Sequence, residues 1–179
     1  VFAGNIGVAQ SFDTIVSAVK IVSEKIDNFT IIVLGDGRDK KRILDKINSL
    51  NLNSHFKFLG SFPPEKMSEF FASADALLVT LKKTKIFSMT IPGKLQSYLA
   101  CGRPIIGSID GIGAEIIKES SCGLVTPSED YNGLAESIIN FYNSTEENRV
   151  KFGINARKYF EKEFARDKLL LKLIDIFNR

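Results

Sequence analysis

Thr30-Ile31-Ile32-Val33-Leu34-Gly35-Asp36-Gly37 is the stretch on which the fold turns. Five strand-forming residues with no alternating polar partner end at a glycine-bounded turn, and Ile43, Leu44 and Ile47 follow at helical spacing. A strand that is apolar on both sides needs cover on both sides, which is the condition of a parallel sheet between helical layers.

The same unit recurs on either side. Upstream, Val1–Ala3 reads as a strand and Phe12–Lys25 as a helix, with Phe12, Ile15, Val16, Val19 and Val22 on one stripe. Downstream, His55–Leu59 is a strand that passes Gly60 and Pro63-Pro64 into a helix near Glu65–Ala72. Strand Ala76–Leu81, a polar loop rich in Lys and Thr, and a helix from Pro92 to Gly102 follow, proline suiting the first helical position because its missing N–H costs nothing there. Pro104–Gly107, Gly113–Glu119, Gly123–Val125 and Tyr131–Tyr142 continue the alternation, and helices at about Glu146–Lys162 and Arg166–Asn178 close the chain. This pattern predicts an α/β domain: a doubly wound, Rossmann-like parallel sheet of about six strands with helices on both faces and right-handed crossovers. Ligands of such sheets sit at the carboxyl ends of the strands, where the strand order reverses.

Composition narrows the functional classes. A hydrophobic fraction of 44% with 25% charged residues is that of a globular domain, and 179 residues suffice for one core. The net charge of +3 is spread along the chain, and the short Lys40–Lys41 and Lys82–Lys83 spots lack interleaved stacking aromatics, so nucleic acid is not expected as a partner. Two cysteines, Cys101 and Cys122, and one histidine, His55, give neither a disulfide framework nor metal-ligand spacing, so no metal is expected. A reducing, cytoplasmic compartment is the simpler expectation, with any membrane association supplied by the rest of a longer protein. The opening Val1-Phe2-Ala3-Gly4 reads as a strand already under way, as in a segment cut from such a protein.

The strand-to-helix loops carry the candidate chemistry. Gly4-Asn5-Ile6-Gly7-Val8-Ala9-Gln10 lets backbone approach a ligand or is a plain turn, and Gly35-Asp36-Gly37-Arg38 adds a cation. Neither has the three-glycine dinucleotide spacing, which removes the main support for hydride chemistry. Ser88-Met89-Thr90-Ile91-Pro92-Gly93-Lys94 places small and hydroxyl residues at a helix start, where free N–H groups and the macrodipole favour an anion such as a diphosphate. Lys94 in that first turn either answers a bound anion or extends into solvent. Gly111-Ile112-Gly113-Ala114-Glu115 reads as a tight turn with Glu115 complementing the helix dipole, His55 as structural, and Cys101 as a packed, inert thiol.

Taken in order, these segments resemble the C-terminal domain of the GT-B retaining glycosyltransferases of family four, often called group 1. The matching stretches include Phe2-Ala3-Gly4-Asn5-Ile6-Gly7, Val33-Leu34-Gly35-Asp36-Gly37, Phe58-Leu59-Gly60, Ala74-Asp75-Ala76-Leu77 and Lys94-Leu95-Gln96-Ser97-Tyr98-Leu99-Ala100-Cys101-Gly102-Arg103-Pro104. Glu115-Ile116-Ile117, Cys122-Gly123-Leu124-Val125 and Asn155-Ala156-Arg157 continue the register. The resemblance implies a socket for a nucleotide diphosphate sugar, a UDP-sugar foremost, that needs no further cofactor. Its first and fourth loops hold the diphosphate, the Gly60–Met67 region meets the base, and the helix after loop four reaches the ribose. Carried over, this nominates Asn5, Gly7, Gln10, Gly37, Arg38, Phe62, Met67, Ser88, Thr90, Gly93 and Ser97 for binding, and Lys94 as the catalytic cation.

Two departures stand out against the family. Its paired glutamates align with Met89 and Ser97, and the Arg and Lys of its first loop align with Asn5 and Gln10. The resemblance implies retaining glycosyl transfer to an acceptor sugar or lipid-linked glycan in polysaccharide or glycoconjugate assembly, without a metal. Residues 1–179 would be the nucleotide-sugar half, inactive alone, partnered by an N-terminal acceptor domain of the same polypeptide. Alternatives are a non-catalytic nucleotide-sugar-binding module or subunit, or half of a sugar-nucleotide epimerase. The stripe Leu169, Leu170, Leu173, Ile174 and Phe177 on the final helix is expected to pack either on this domain's own sheet or on the other domain.

Overall fold

The structure is a computed structural model that describes residues 1–177. Six strands, β1 (Phe2–Ala3), β2 (Ile31–Leu34), β3 (Phe56–Gly60), β4 (Leu77–Thr80), β5 (Ile105–Ser108) and β6 (Gly123–Thr126), are all parallel to their neighbours. They pair as β1-β2-β3 and β4-β5-β6, and the N–H of Leu78 donates to the carbonyl of Val1 at 2.8 Å, joining the two sets. The resulting order, β3-β2-β1-β4-β5-β6, is doubly wound and reverses direction between β1 and β4.

The helices are α1 (Phe12–Ser23), α2 (Lys40–Ser49), α3 (Pro64–Ala72), α4 (Lys85–Ser88), α5 (Gly93–Cys101), α6 (Gly111–Ser120), α7 (Tyr131–Tyr142), α8 (Glu146–Glu163) and α9 (Arg166–Phe177). Strand side chains alternate between two cores, as the period-two geometry of a strand requires. Phe2, Val33, Leu78 and Ile106 pack with α1, α2 and α7, while Ala3, Leu34, Leu77 and Ile105 pack with α3, α5, α6 and α8. That alternation is why the strands read as unbroken apolar runs. Tyr98 of α5 is fully buried, and its hydroxyl accepts the N–H of Ala3 at 3.0 Å, tying α5 to β1.

Three details differ from the sequence expectations, and a fourth decides between two of them. The polar loop after β4 contains α4, started by the Thr84 hydroxyl accepting the Phe87 N–H at 3.1 Å, and a helix of one turn is too short to show a period. Pro92 is the cap of α5 and not its first helical residue. Helix α6 starts at Gly111, so Glu115 lies beyond its first turn, and Asp110 takes the cap position. Lastly, of the two places expected for its stripe, α9 does not take this domain's own sheet: Leu170 is 46%, Ile174 55% and Phe177 79% exposed. Helices α1, α2 and α7 already pack on one face of the sheet and α3, α5, α6 and α8 on the other. Asn178, the expected last residue of that helix, lies outside the described residues.

Candidate functional site

Loops one and two are zipped together at the carboxyl ends of β1 and β2. Gly4 N–H donates to Leu34 O at 2.9 Å, Ile6 N–H to Asp36 O at 2.8 Å and Asp39 N–H to Ile6 O at 3.1 Å. Gly37 is fixed by this contact, because a Cβ there would lie 2.1 Å from Ile6 O and 2.6 Å from Asn5 Oδ1. The exposed Asn5 amide also fills the space beside Gly7, whose Cβ would meet Asn5 Nδ2 at 2.7 Å. Both glycines are therefore shaped around Asn5 and leave it at the mouth of the site.

Beside it lies a cavity of about 290 Å³ lined by Gly4, Asn5, Asp36, Ser61, Phe62 and Met67, among others. It brings together the first-loop amide and the two residues expected at the base. Phe62 rests on Phe70 with ring centroids 4.5 Å apart, which fixes its ring as a firm apolar wall. Arg38 is exposed, with no hydrogen bond or ion pair among the described residues. Asp36, by contrast, is held by Lys40 at 3.0 Å and by the Gly37 N–H at 2.7 Å, and both keep its carboxyl below the usual range.

Across the β1–β4 reversal, the start of α5 is open. A Cβ on Gly93 would meet nothing within 4 Å, and among the described residues the N–H groups of Gly93 and Lys94 have no acceptor. Ser88 and Thr90 stand nearby in chain order, but their hydroxyls donate to Lys85 O at 2.9 Å and Ile86 O at 2.8 Å. What the helix start offers an anion is backbone N–H and not those two protons. Loop four is braced from behind by Gly111, where a Cβ would lie 1.9 Å from Ser88 O. Ser97, one turn further along α5, is exposed, and so is Met89, at 66%.

Lys94 does not extend into solvent. Its Nζ lies 3.8 Å from the centroid of the Phe2 ring and donates to Gln10 Oε1 at 2.5 Å. The main-chain carbonyl of Gln10 accepts the Thr80 hydroxyl at 2.6 Å, so β4 anchors the residue whose amide meets the amine, and β1, loop one and α5 converge on that amine. Burial strips water from the ammonium and lowers its pKa from 10.5 to about 7. Phe2 and Thr80 were not legible as site residues, since each reads as an ordinary strand residue. Elsewhere, His55 stacks on Phe29 at 4.4 Å, and burial pushes the Cys101 thiol up, which disfavours the thiolate. Among the described residues there is no cluster of three or more His, Cys, Asp or Glu able to hold a metal ion, and no helix is long and apolar enough to cross a membrane.

The sequence model of the family described as glycosyl transferases group 1 matches residues 1–159. The N-acetyl-alpha-D-glucosaminyl L-malate synthase of Bacillus anthracis is 26% identical over 165 residues, which cover 92% of this chain and 41% of that protein. The chain spans less than half the length of the curated relatives it matches. Among solved structures, Anabaena HepE in complex with UDP superposes with a TM-score of 0.85 at 17% identity, over 99% of this chain and 48% of that one. The C-terminal domain of the group 1 glycosyl transferase LpcC from Francisella tularensis gives 0.75 at 17% identity, over 91% of this chain and 85% of that one. With the doubly wound sheet, the cavity at its strand tips and a family match over most of its length, this chain belongs to the group 1 glycosyltransferases and has the fold of their C-terminal, GT-B half.

Proposed function

We propose that this domain binds a nucleoside diphosphate sugar, with UDP as the carrier, for retaining transfer of the sugar to an acceptor in polysaccharide or glycoconjugate synthesis. The observation that carries the reading is the pairing, across the β1–β4 reversal, of an aromatic-walled cavity with an open helix start backed by a lysine. The base would lie against Phe62 and Met67. The diphosphate would lie between loop one and the N–H groups of Gly93 and Lys94, with Arg38 free to reach it. HepE is seen with UDP and with UDP-glucose, and the Bacillus anthracis relative is named as an N-acetylglucosaminyl enzyme, which supports a UDP-sugar of that kind.

In retaining transfer, positive charge grows on the sugar while negative charge grows on the departing diphosphate. A cation and fixed N–H dipoles aimed at the leaving group stabilise that state more than the bound donor. Lys94 is the catalytic cation of this reading, and no carboxylate is asked of positions 89 and 97. The acceptor site would belong to a further domain of the polypeptide, with residues 1–179 binding donor but not turning over alone. The exposed stripe of α9 suits contact with that domain.

A second reading, a non-catalytic sugar-nucleotide module, draws on one observation: exposed Met89 and Ser97 stand where the family places its two glutamates. Glycosyl transfer by the full-length polypeptide without a partner protein excludes it. The donor reading is tested by calorimetry and thermal shift with UDP, GDP, ADP and their sugars. Selective binding of UDP and its sugars is expected, and equal indifference to all of them overturns the reading.

A further inference from the structure

The surroundings of Lys94 carry one step beyond this reading, on which it rests. An amine that serves a diphosphate is ordinarily either solvated or ion-paired when the site is empty, and Lys94 is neither. Phe2 lies beneath it with an aromatic face, and Gln10 meets it with an amide oxygen, both partial negative charges and not a counter-ion. On the site side stands Gly4, at φ +136°, where a Cβ would lie 3.1 Å from Nζ and 3.4 Å from Cε. Gly4 lines that cavity and has no side chain to place between it and the amine.

Among the described residues no carboxylate is paired with Lys94. From β1 and its loop come Phe2, Ala3, Asn5 and Gln10, none of which ionises. From β4 comes Thr80, whose hydroxyl donates to the main-chain carbonyl of Gln10. Loop two brings Asp36, paired with Lys40, and the unpaired Arg38. The segment after β4 brings Lys82, whose N–H donates to Ala9 O, and α4 brings Lys85. On α5 itself, the Tyr98 hydroxyl accepts the Ala3 N–H and is held protonated by burial. Asp110 at the cap of α6 accepts the Ser128 N–H at 3.0 Å. None of these carboxylates forms a salt bridge with Lys94.

We infer that Phe2 and Gln10 are positioning residues that hold the Lys94 amine beneath Gly4, and that this amine takes up a proton when a pyrophosphate binds above it. The proton comes from solvent onto the nitrogen lone pair, and the pyrophosphate, ionised above its last pKa of about 6, gives none up. Above pH 7 the free site then holds a mostly neutral amine in its low-dielectric cradle, and the ligand supplies the counter-charge that the protein withholds. The pKa of about 7 in the empty site agrees with that arrangement. Donor binding becomes a proton-linked event above pH 7, where binding of the leaving group draws in the proton that makes the amine a cation.

The test is isothermal calorimetry of UDP binding at pH 8 in two buffers of different ionisation enthalpy, such as HEPES and Tris. The expected result is uptake of about 0.8–0.9 proton per UDP by the wild-type chain, the fraction of an amine of pKa near 7 that is empty at that pH. Lys94→Met abolishes the uptake. Gln10→Glu gives the amine a permanent counter-charge, so it is protonated before binding and the uptake falls toward zero, which a packing role for Gln10 would not produce. Gln10→Asn, which keeps an amide, retains most of it. UDP binding with buffer-independent heat overturns this inference and leaves the donor socket standing. Undiminished uptake in Gln10→Glu removes Gln10 as a positioning residue, and no binding of any nucleoside diphosphate overturns both readings.

Discussion

Replacing Lys94 by methionine keeps a linear side chain against Phe2 and removes the charge, and the structure sets the sign of two opposite effects. In the folded chain the amine loses its proton near pH 7, against 10.5 for an unperturbed lysine. Between those values the unfolded chain binds more protons than the folded one, so wild-type stability rises with pH across that window. Below pH 7 both states are charged and the full burial cost is present, on the order of 5 kcal/mol for a shift of about 3.5 units. The methionine gives back part of it through the lost cation–π contact and the lost Gln10 bond, leaving a net gain of about 1–3 kcal/mol. For a domain of this size that raises the melting temperature by roughly 2–10 °C at pH 6.5. The gain shrinks as the pH rises toward 10.5, because the wild-type amine is then neutral when folded and the unfolded chain is losing its own proton. The same variant loses a charge-assisted contact, so its Kd for UDP rises by about 10–100-fold. Thermal melts from pH 6 to 10 and calorimetry at pH 7 measure both. A variant that melts below wild type at pH 6.5, or gains equally at pH 6.5 and 9.5, or binds UDP unchanged, refutes the reasoning.

Three further outcomes follow from other parts of the structure. Tyr98→Phe leaves the buried Ala3 N–H without an acceptor and costs about 1–3 kcal/mol in urea unfolding, with the sheet otherwise intact. Asp13, 2.6 Å from both Arg42 and Lys46, has its carboxyl lowered from 3.8 to about 2, first by the Arg42 bond. Its contribution is complete above pH 3.8 and disappears as pH falls through 2, so Asp13→Asn costs under ~1 kcal/mol at pH 7 for these half-exposed groups and nothing at pH 1.5. Phe62→Ala removes the apolar wall of the cavity and weakens binding of nucleosides and of UDP alike by about 5–15-fold, whereas inorganic pyrophosphate, which has no base, binds as before.

The layer structure was legible because its signals are local. Each of the six strands lies within two residues of its predicted place, since an apolar run closed by glycine or proline marks itself wherever it occurs. The placement of Asn5 and Phe62 in strand-tip loops was legible for the same reason: a parallel sheet sends the strand tips to one edge. Helix α4 was not, because a single turn has no period, and the exposure of α9 was not, because amphipathy states that a face needs cover and not what provides it.

The arrangement around Lys94 belongs to the tertiary structure alone. Sequence set a lysine in the first turn of a helix and left it either facing an anion or standing in water. Only the crossing of α5 over β1, pinned by the Tyr98–Ala3 bond, carries that amine onto a ring 92 positions earlier and onto the Gln10 amide. Patterning along the chain decides which segments become strands and helices, because those preferences act over a few residues. The charge state of a side chain depends on the solvent and dipoles within a few ångströms, and chain folding decides which groups those are.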